Sequence, residues 1–188
     1  MVVLPEYFLS PEDHIKLAEV FGEIDVNRFF KPVASHPIIA EVRTSSGQTK
    51  VIGGTWHADH SYDSTQAMCS ILSEQRLPPF GDDTHFASMS SAYYAMSLGL
   101  QNMLSNLSAW HSIGSFVDSA NVVINPKQDA FRDPGLRPVA IKHPKTGAPC
   151  VCINGDFTVN FENWTAQENI PLLFIFMNLL LTQFSERE

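Results

Sequence analysis

His57 and Asp59 stand two residues apart in the segment Thr55-Trp-His-Ala-Asp-His-Ser-Tyr62, and that pair has the chemistry of a metal site. On a β-strand, side chains at i and i+2 project to the same face. A strand over 55–62 would bring the His57 imidazole and the Asp59 carboxylate to one ion, with Trp56 and Ala58 turned away. One His and one carboxylate are two thirds of the 2-His-1-carboxylate triad, which holds iron(II) and leaves coordination positions open. The spacing alone is weak. Seven histidines in 188 residues give about 0.4 such His-x-Asp pairs by chance.

The elements around the pair supply its context. Ser10-Pro11-Glu12-Asp13 reads as a capped helix start, with Ile15, Ala18 and Phe21 on one face and Gly22 as the stop. From 38 to 86 the pattern is extended and broken by turns. Strands are expected over Ile38–Val42, Thr55–Tyr62, Ala67–Gln75 and Thr84–Ala87. Residues 89–106 return to helical spacing. Gly114, Pro126, Pro134 and Gly135 make 113–137 loop-like. Val139–Lys142 and Cys150–Asn154 read as a hairpin, and Thr165-x-x-Glu168 as a capping box opening a last apolar helix. Short strands in the middle with helices at the edges predict a mainly β chain with flanking helices (α+β).

Length and composition narrow the function. The 188 residues suit one domain. Twelve basic against twenty acidic residues, a formal charge of −8, argue against nucleic acid as a partner. Cys69, Cys150 and Cys152 are an odd set, which argues against a disulfide framework and for a reducing, cytoplasmic setting. Cys150 and Cys152 read as small buried strand residues. No secretory signal opens the chain, and the apolar run Pro171–Phe184 is shorter than the roughly 20 residues of a membrane span.

The ordered segments WHADHSY (56–62), MCSIL (68–72) and LPPFGDDTHFASMSSAYYAMS (77–97) resemble the TauD/TfdA group of 2-oxoglutarate-dependent dioxygenases. In that group a Trp-His-(Ser/Thr)-Asp strand is followed by Pro-Pro-x-Gly-Gly-Asp-Thr and a helix. The likeness continues through Leu104–His111, through His143-Pro144-x-Thr-Gly and through Asn154-Gly-Asp-Phe157-Thr158, so that it spans roughly 8 to 180. It departs at Ala58 and Asp82, where the group has Ser or Thr and Gly; neither change removes a metal-binding atom.

The resemblance implies a double-stranded β-helix (jelly roll, cupin-like) with His57 and Asp59 as ligands of Fe(II). It implies that Thr84 donates its hydroxyl to a carboxylate oxygen of 2-oxoglutarate, and that Phe157 and Asn154 face the primary substrate. A core aromatic is the competing reading of Phe157. His60 and His85 are expected on the far faces of their strands, and His111 and His143 in structural hydrogen bonds. The implied reaction hydroxylates a small organic substrate, of sulfonate or ether type, with O2 and with release of succinate and CO2.

The group's distal His and its 2-oxoglutarate-binding Arg have no counterpart here. The last histidine is His143, and after Lys145 the one basic residue is Arg187. The chain is therefore expected to be a single domain, 1–188, incomplete at the C-terminus and inactive alone. Its uncovered apolar helix would drive homo-oligomerisation. Two rivals are a metal-free, self-associating remnant of the fold, and a hydrolytic site with a ligand from a neighbouring subunit.

Overall fold

The computed structural model describes residues 2–182 apart from 6, 28, 45–47, 49–52, 64, 82 and 114–134. For 179–182 it describes the backbone alone. Two compact units form, one from 1–48 with 67–85 and the other from 49–66 with 86–188.

In the first unit, helix α1 spans Pro11–Glu19. Ser10 caps it as its residue type predicts: its Oγ accepts the Asp13 N–H at 3.1 Å and donates to Asp13 Oδ2 at 2.8 Å. The helix ends before the expected Phe21–Gly22 stop, with Val20 at the C-cap, and no residue of it is buried. Strands β1 (Lys31–Val33) and β2 (His36–Glu41) pair antiparallel, slipping register between Pro32 and Val33. His36 Nε2 meets Glu12 Oε1 at 3.1 Å and fixes α1 against β2. The strand expected over 67–75 and the one expected over 84–87 do not form. Neither stretch enters a ladder, so the opposite-face placement of His85 lapses as well.

The second unit carries the hydrophobic core. Helix α2 (Met89–Ala95) is capped by Ser88 and α3 (Leu98–Leu104) by Ser97. Sequence spacing predicts one helix here; the structure has two. Ser97 Oγ accepts the Leu100 N–H at 3.3 Å, a side-chain bond that favours a new helix start over continuation. The Met96 carbonyl freed by the break accepts from Gln101 Nε2 at 2.8 Å.

Strand β3 (Ser108–His111) is the centre of a three-stranded antiparallel sheet, between β4 (Gly135–Pro138) and β7 (Thr158–Phe161). Residues 135–137 are thus strand, a correction to the loop expected over 113–137; 114–134 lie outside the described residues. β5 (Ala140–Lys142) and β6 (Pro149–Val151) form the predicted hairpin. His143 Nδ1 accepts the Lys145 and Thr146 N–H groups at 3.2 Å in its turn, the structural role expected of it. Cys152 is buried, Cys150 half-buried and Cys69 exposed, and all three are free.

Helix α4 (Ala166–Thr182) opens with the predicted capping box, Thr165 N–H and Oγ1 both donating to Glu168 Oε2. Buried Asn169 joins this start to β7: its Oδ1 accepts the Phe161 N–H at 2.6 Å, and its Nδ2 donates to the Trp164 and Thr165 carbonyls. Phe161 and Phe176, both fully buried, meet edge to face at 6.0 Å, and Leu104, Ala109, Val139 and Val151 complete the core around them. No helix among the described residues is long and apolar enough to cross a membrane.

Candidate metal centre

The segment that carries His57 and Asp59 is not a strand. Thr55–His57 is irregular and 59–62 is a turn, with Ser61 N–H on Ala58 O and His60 in the left-handed region at φ 58. The i, i+2 argument for a shared face therefore fails, and with it the opposite-face placement of His60. The two side chains meet nonetheless. His57 Nε2 lies 3.3 Å from Asp59 Oδ1.

Tertiary contacts, not strand pairing, hold the segment. The Gly155 N–H donates to Trp56 O at 3.2 Å. A Cβ at Gly155 would come within 3.3 Å of Thr55 Cγ2 and 3.7 Å of Trp56 O, so glycine permits this approach. Beneath it lies a buried polar network. Ser61 Oγ accepts from Asn154 Nδ2 at 3.1 Å and stands 3.2 Å from His111 Nδ1. Asn154 Oδ1 in turn accepts the Phe157 N–H at 2.9 Å. Both ends of the Asn154 amide are taken up inside the fold. His111 has the structural hydrogen bond expected of it, and its pKa falls to about 4 because burial and then the Arg137 charge oppose protonation.

Phe157 is buried, its ring 4.8 Å from Tyr62 and 6.2 Å edge-on from His57. His60 is engaged elsewhere, its Nδ1 2.8 Å from Asp63 Oδ2 and its ring stacked on Tyr62. Thr84 is exposed, in the irregular stretch before Ser88, and belongs to the other unit; Asp82 lies outside the described residues. Sequence reasoning did not assign Ser61, Tyr62 or Asp156. Asp156 sits inside the Asn154–Phe157 segment and brings Oδ2 to 3.7 Å from His57 Nδ1.

The donor set suits a divalent cation. Two ligand atoms each about 2.1 Å from an ion and at right angles are about 3 Å apart, close to the observed 3.3 Å. His57 Nδ1 is 2.7 Å from Thr55 O. A carbonyl can only accept, so Nδ1 carries the proton and Nε2 is the nitrogen left for a metal. The Asp59 hydrogen bond, opposed by burial and helped by Thr55 O and by the Asp59 and Asp156 charges, raises the His57 pKa to about 9. A metal arriving at neutral pH must displace that proton. Among the described residues no third His, Cys, Asp or Glu brings a ligand atom within 4.8 Å of both.

Comparison with known proteins gives concordant matches. The model of the family described as taurine catabolism dioxygenase TauD, TfdA family matches residues 1–185. A (S)-phenoxypropionate/alpha-ketoglutarate-dioxygenase of Delftia acidovorans is 30% identical over 169 residues, 81% of this chain and 58% of that protein. An alpha-ketoglutarate-dependent sulfonate dioxygenase of Saccharomyces cerevisiae is 28% identical over 127 residues, 68% of this chain and 31% of that protein. The crystal structure of a candidate alpha-ketoglutarate-dependent taurine dioxygenase from Burkholderia xenovorans superposes with a TM-score of 0.74 at 22% identity. It covers 93% of this chain and 58% of its own, and it shows a shared fold. The chain spans less than two thirds of the length of each of these proteins.

Proposed function

The chain belongs to the TauD/TfdA family, and from that premise we propose that it carries two of the three protein ligands of an Fe(II) and 2-oxoglutarate-dependent dioxygenase. The observation behind this is His57 Nε2 facing Asp59 Oδ1 at 3.3 Å while Nδ1 is tied to Thr55 O. Iron bound there would supply the oxidising chemistry, with 2-oxoglutarate and O2 consumed and succinate and CO2 released.

The chain's own residues present and orient. His57 offers a lone pair in a fixed ring position, and Asp59, with its side chain 55% exposed, can turn to share the ion. Phe157 forms an apolar wall beside His57, and Asn154 fixes that wall through the Phe157 N–H. Thr84, on the family motif, gives its hydroxyl to a carboxylate oxygen of 2-oxoglutarate. The substrate is a small organic molecule of sulfonate or ether type, in line with what the yeast and Delftia relatives are named for. On this reading residues 1–188 belong to a single double-stranded β-helix domain, in a cytoplasmic setting that suits three free cysteines.

The test adds Fe(II), 2-oxoglutarate and O2 to the protein with (S)-phenoxypropionate or a short alkyl sulfonate. Binding of Fe(II) or Mn(II) supports the reading and removes the metal-free remnant, whereas succinate formed in step with 2-oxoglutarate loss would overturn the inactivity expected of the chain alone. Failure to bind Fe(II) or Mn(II) at all overturns it.

We also propose that copies of the chain associate through the last helix. Ile170 and Phe174 on α4 are 70% and 69% exposed, and a contiguous apolar face of that kind favours self-burial. Sedimentation should show a dimer or larger species, shifted toward monomer by Phe174→Asp. A clean monomer at high concentration would count against association.

A further inference from the structure

The His57 ring is held at both ends, by different groups. Nε2 faces Asp59. At the other end Nδ1–H donates to Thr55 O at 2.7 Å, and Asp156 Oδ2 lies 3.7 Å from the same nitrogen. A carboxylate behind a ligating imidazole does two things: it fixes the ring's tautomer and orientation, and it makes the far nitrogen a stronger donor. A backbone carbonyl does the first, but carries no net charge with which to do the second.

Asp156 is also well placed for the task. Its side chain is 17% exposed, so its field reaches His57 through little water. The turn that carries it is fixed on three sides. Gly155 N–H holds Trp56 O, Asn154 N–H donates to Thr158 Oγ1 at 2.9 Å, and Asn154 Oδ1 holds Phe157 N–H. The Phe157 ring, at 89° to the imidazole, limits its swing. Asp59 reaches the ion side by local chain geometry; Asp156 comes from a distant segment and approaches the opposite end.

We propose that Asp156 is a positioning residue for His57, its carboxylate steadying the ring from behind Nδ1–H and strengthening the Nε2 lone pair toward a divalent cation shared with Asp59. The inference rests on the metal-site reading above. It assigns Asp156 no contact with the ion or with substrate. It adds a third carboxyl-bearing or imidazole side chain to the site and makes the Asn154–Phe157 segment part of the metal-binding apparatus.

The test uses the full 188-residue chain with Mn(II) as probe, following free Mn(II) by electron paramagnetic resonance. Asp156→Ala should weaken binding by about 10–100-fold. Asp156→Asn, which keeps an acceptor but no charge, should fall between, and Asp156→Glu should recover most of the affinity. Unchanged thermal unfolding of the variants separates this from loss of fold. Long-range 1H–15N spectra of the metal-free protein at about pH 10, above the His57 pKa of about 9, report the tautomer directly. Thr55 O should keep both proteins in the Nδ1–H form, while Asp156→Ala should move the His57 Nδ1 and Nε2 resonances from their wild-type positions as the charge behind Nδ1 is removed. Equal Mn(II) affinity in wild type and Asp156→Ala overturns the proposal. If wild type itself binds no Mn(II), the metal-site reading fails. The spectra then decide for Asp156 alone, and His57 nitrogen resonances unmoved in Asp156→Ala sink it.

Discussion

His57→Ala is expected to weaken divalent-metal binding by on the order of 100-fold or more, with the fold retained. Asp59 has a 55% exposed side chain, and a lone hydrated carboxylate holds a divalent ion poorly, because water competes for every coordination position. His57 supplies the directional nitrogen donor, aimed by Thr55 O. The fold should tolerate the change. His57 lies outside the buried cluster of Leu104, Phe161 and Phe176, and its ring packs edge-on against Phe157 alone among the described aromatic residues. Titrating the variant with Mn(II) beside a thermal melt checks both halves. Wild-type affinity in His57→Ala would place the metal elsewhere.

The parts of this fold that could be read from sequence are those made by local side-chain to backbone bonds. Ser10 and Thr165 cap their helices as written, since the partners of each lie three residues away. The β5–β6 hairpin was legible from its turn residues. The segment 55–62 was not. Its alternation of Trp, His, Ala and Asp mimics a strand, yet the acceptor at Trp56 O is satisfied by Gly155, and Ser61 is drawn down to Asn154 and His111. Tertiary bonds outweighed period-two patterning. Ser97 interrupts a helical stretch for the opposite reason, a local cap inside an otherwise continuous apolar period. β4 was hidden because Gly135 and Pro138 read as loop until β3 pairs with them.

The candidate site shows the same division. The meeting of His57 and Asp59 was expected, but for a geometric reason the turn does not provide. The TauD/TfdA motifs carried that expectation further than periodicity could, and the family match bears out the recognition. Asp156 stayed invisible because nothing near it in sequence points to His57. Only the packing of the Asn154–Phe157 segment against Thr55 and Trp56 brings it there.

Lowering the pH from 6.5 to 4 should cost the protein at most about 3 kcal/mol through His111 alone. His111 is fully buried, and its pKa is held at about 4 against an ordinary 6.5, by burial first and by Arg137 second. Two of the Arg137 guanidinium nitrogens, Nε and Nη2, are buried with no hydrogen-bond partner among the described residues, so its charge is weakly screened where it faces the imidazole. A depressed pKa means that the unfolded chain binds the proton first. The stability from keeping His111 neutral is therefore complete above about pH 6.5 and drains as pH falls through about 4. His57 does not confound this window. Its raised pKa gives stability that is fully present below 6.5 and lost only as pH rises toward about 9. Glu12, Asp13 and Glu168, all with lowered pKa values, are fully exposed and largely screened by solvent. Urea unfolding of wild type and His111→Gln at several pH values between 4 and 7 isolates the contribution. The variant keeps an amide to meet Ser61 Oγ but cannot titrate, so its stability should fall less steeply with acid. Parallel slopes would show that His111 is not the group through which acid loosens the Ser61–Asn154 network beneath the turn that carries His57 and Asp59.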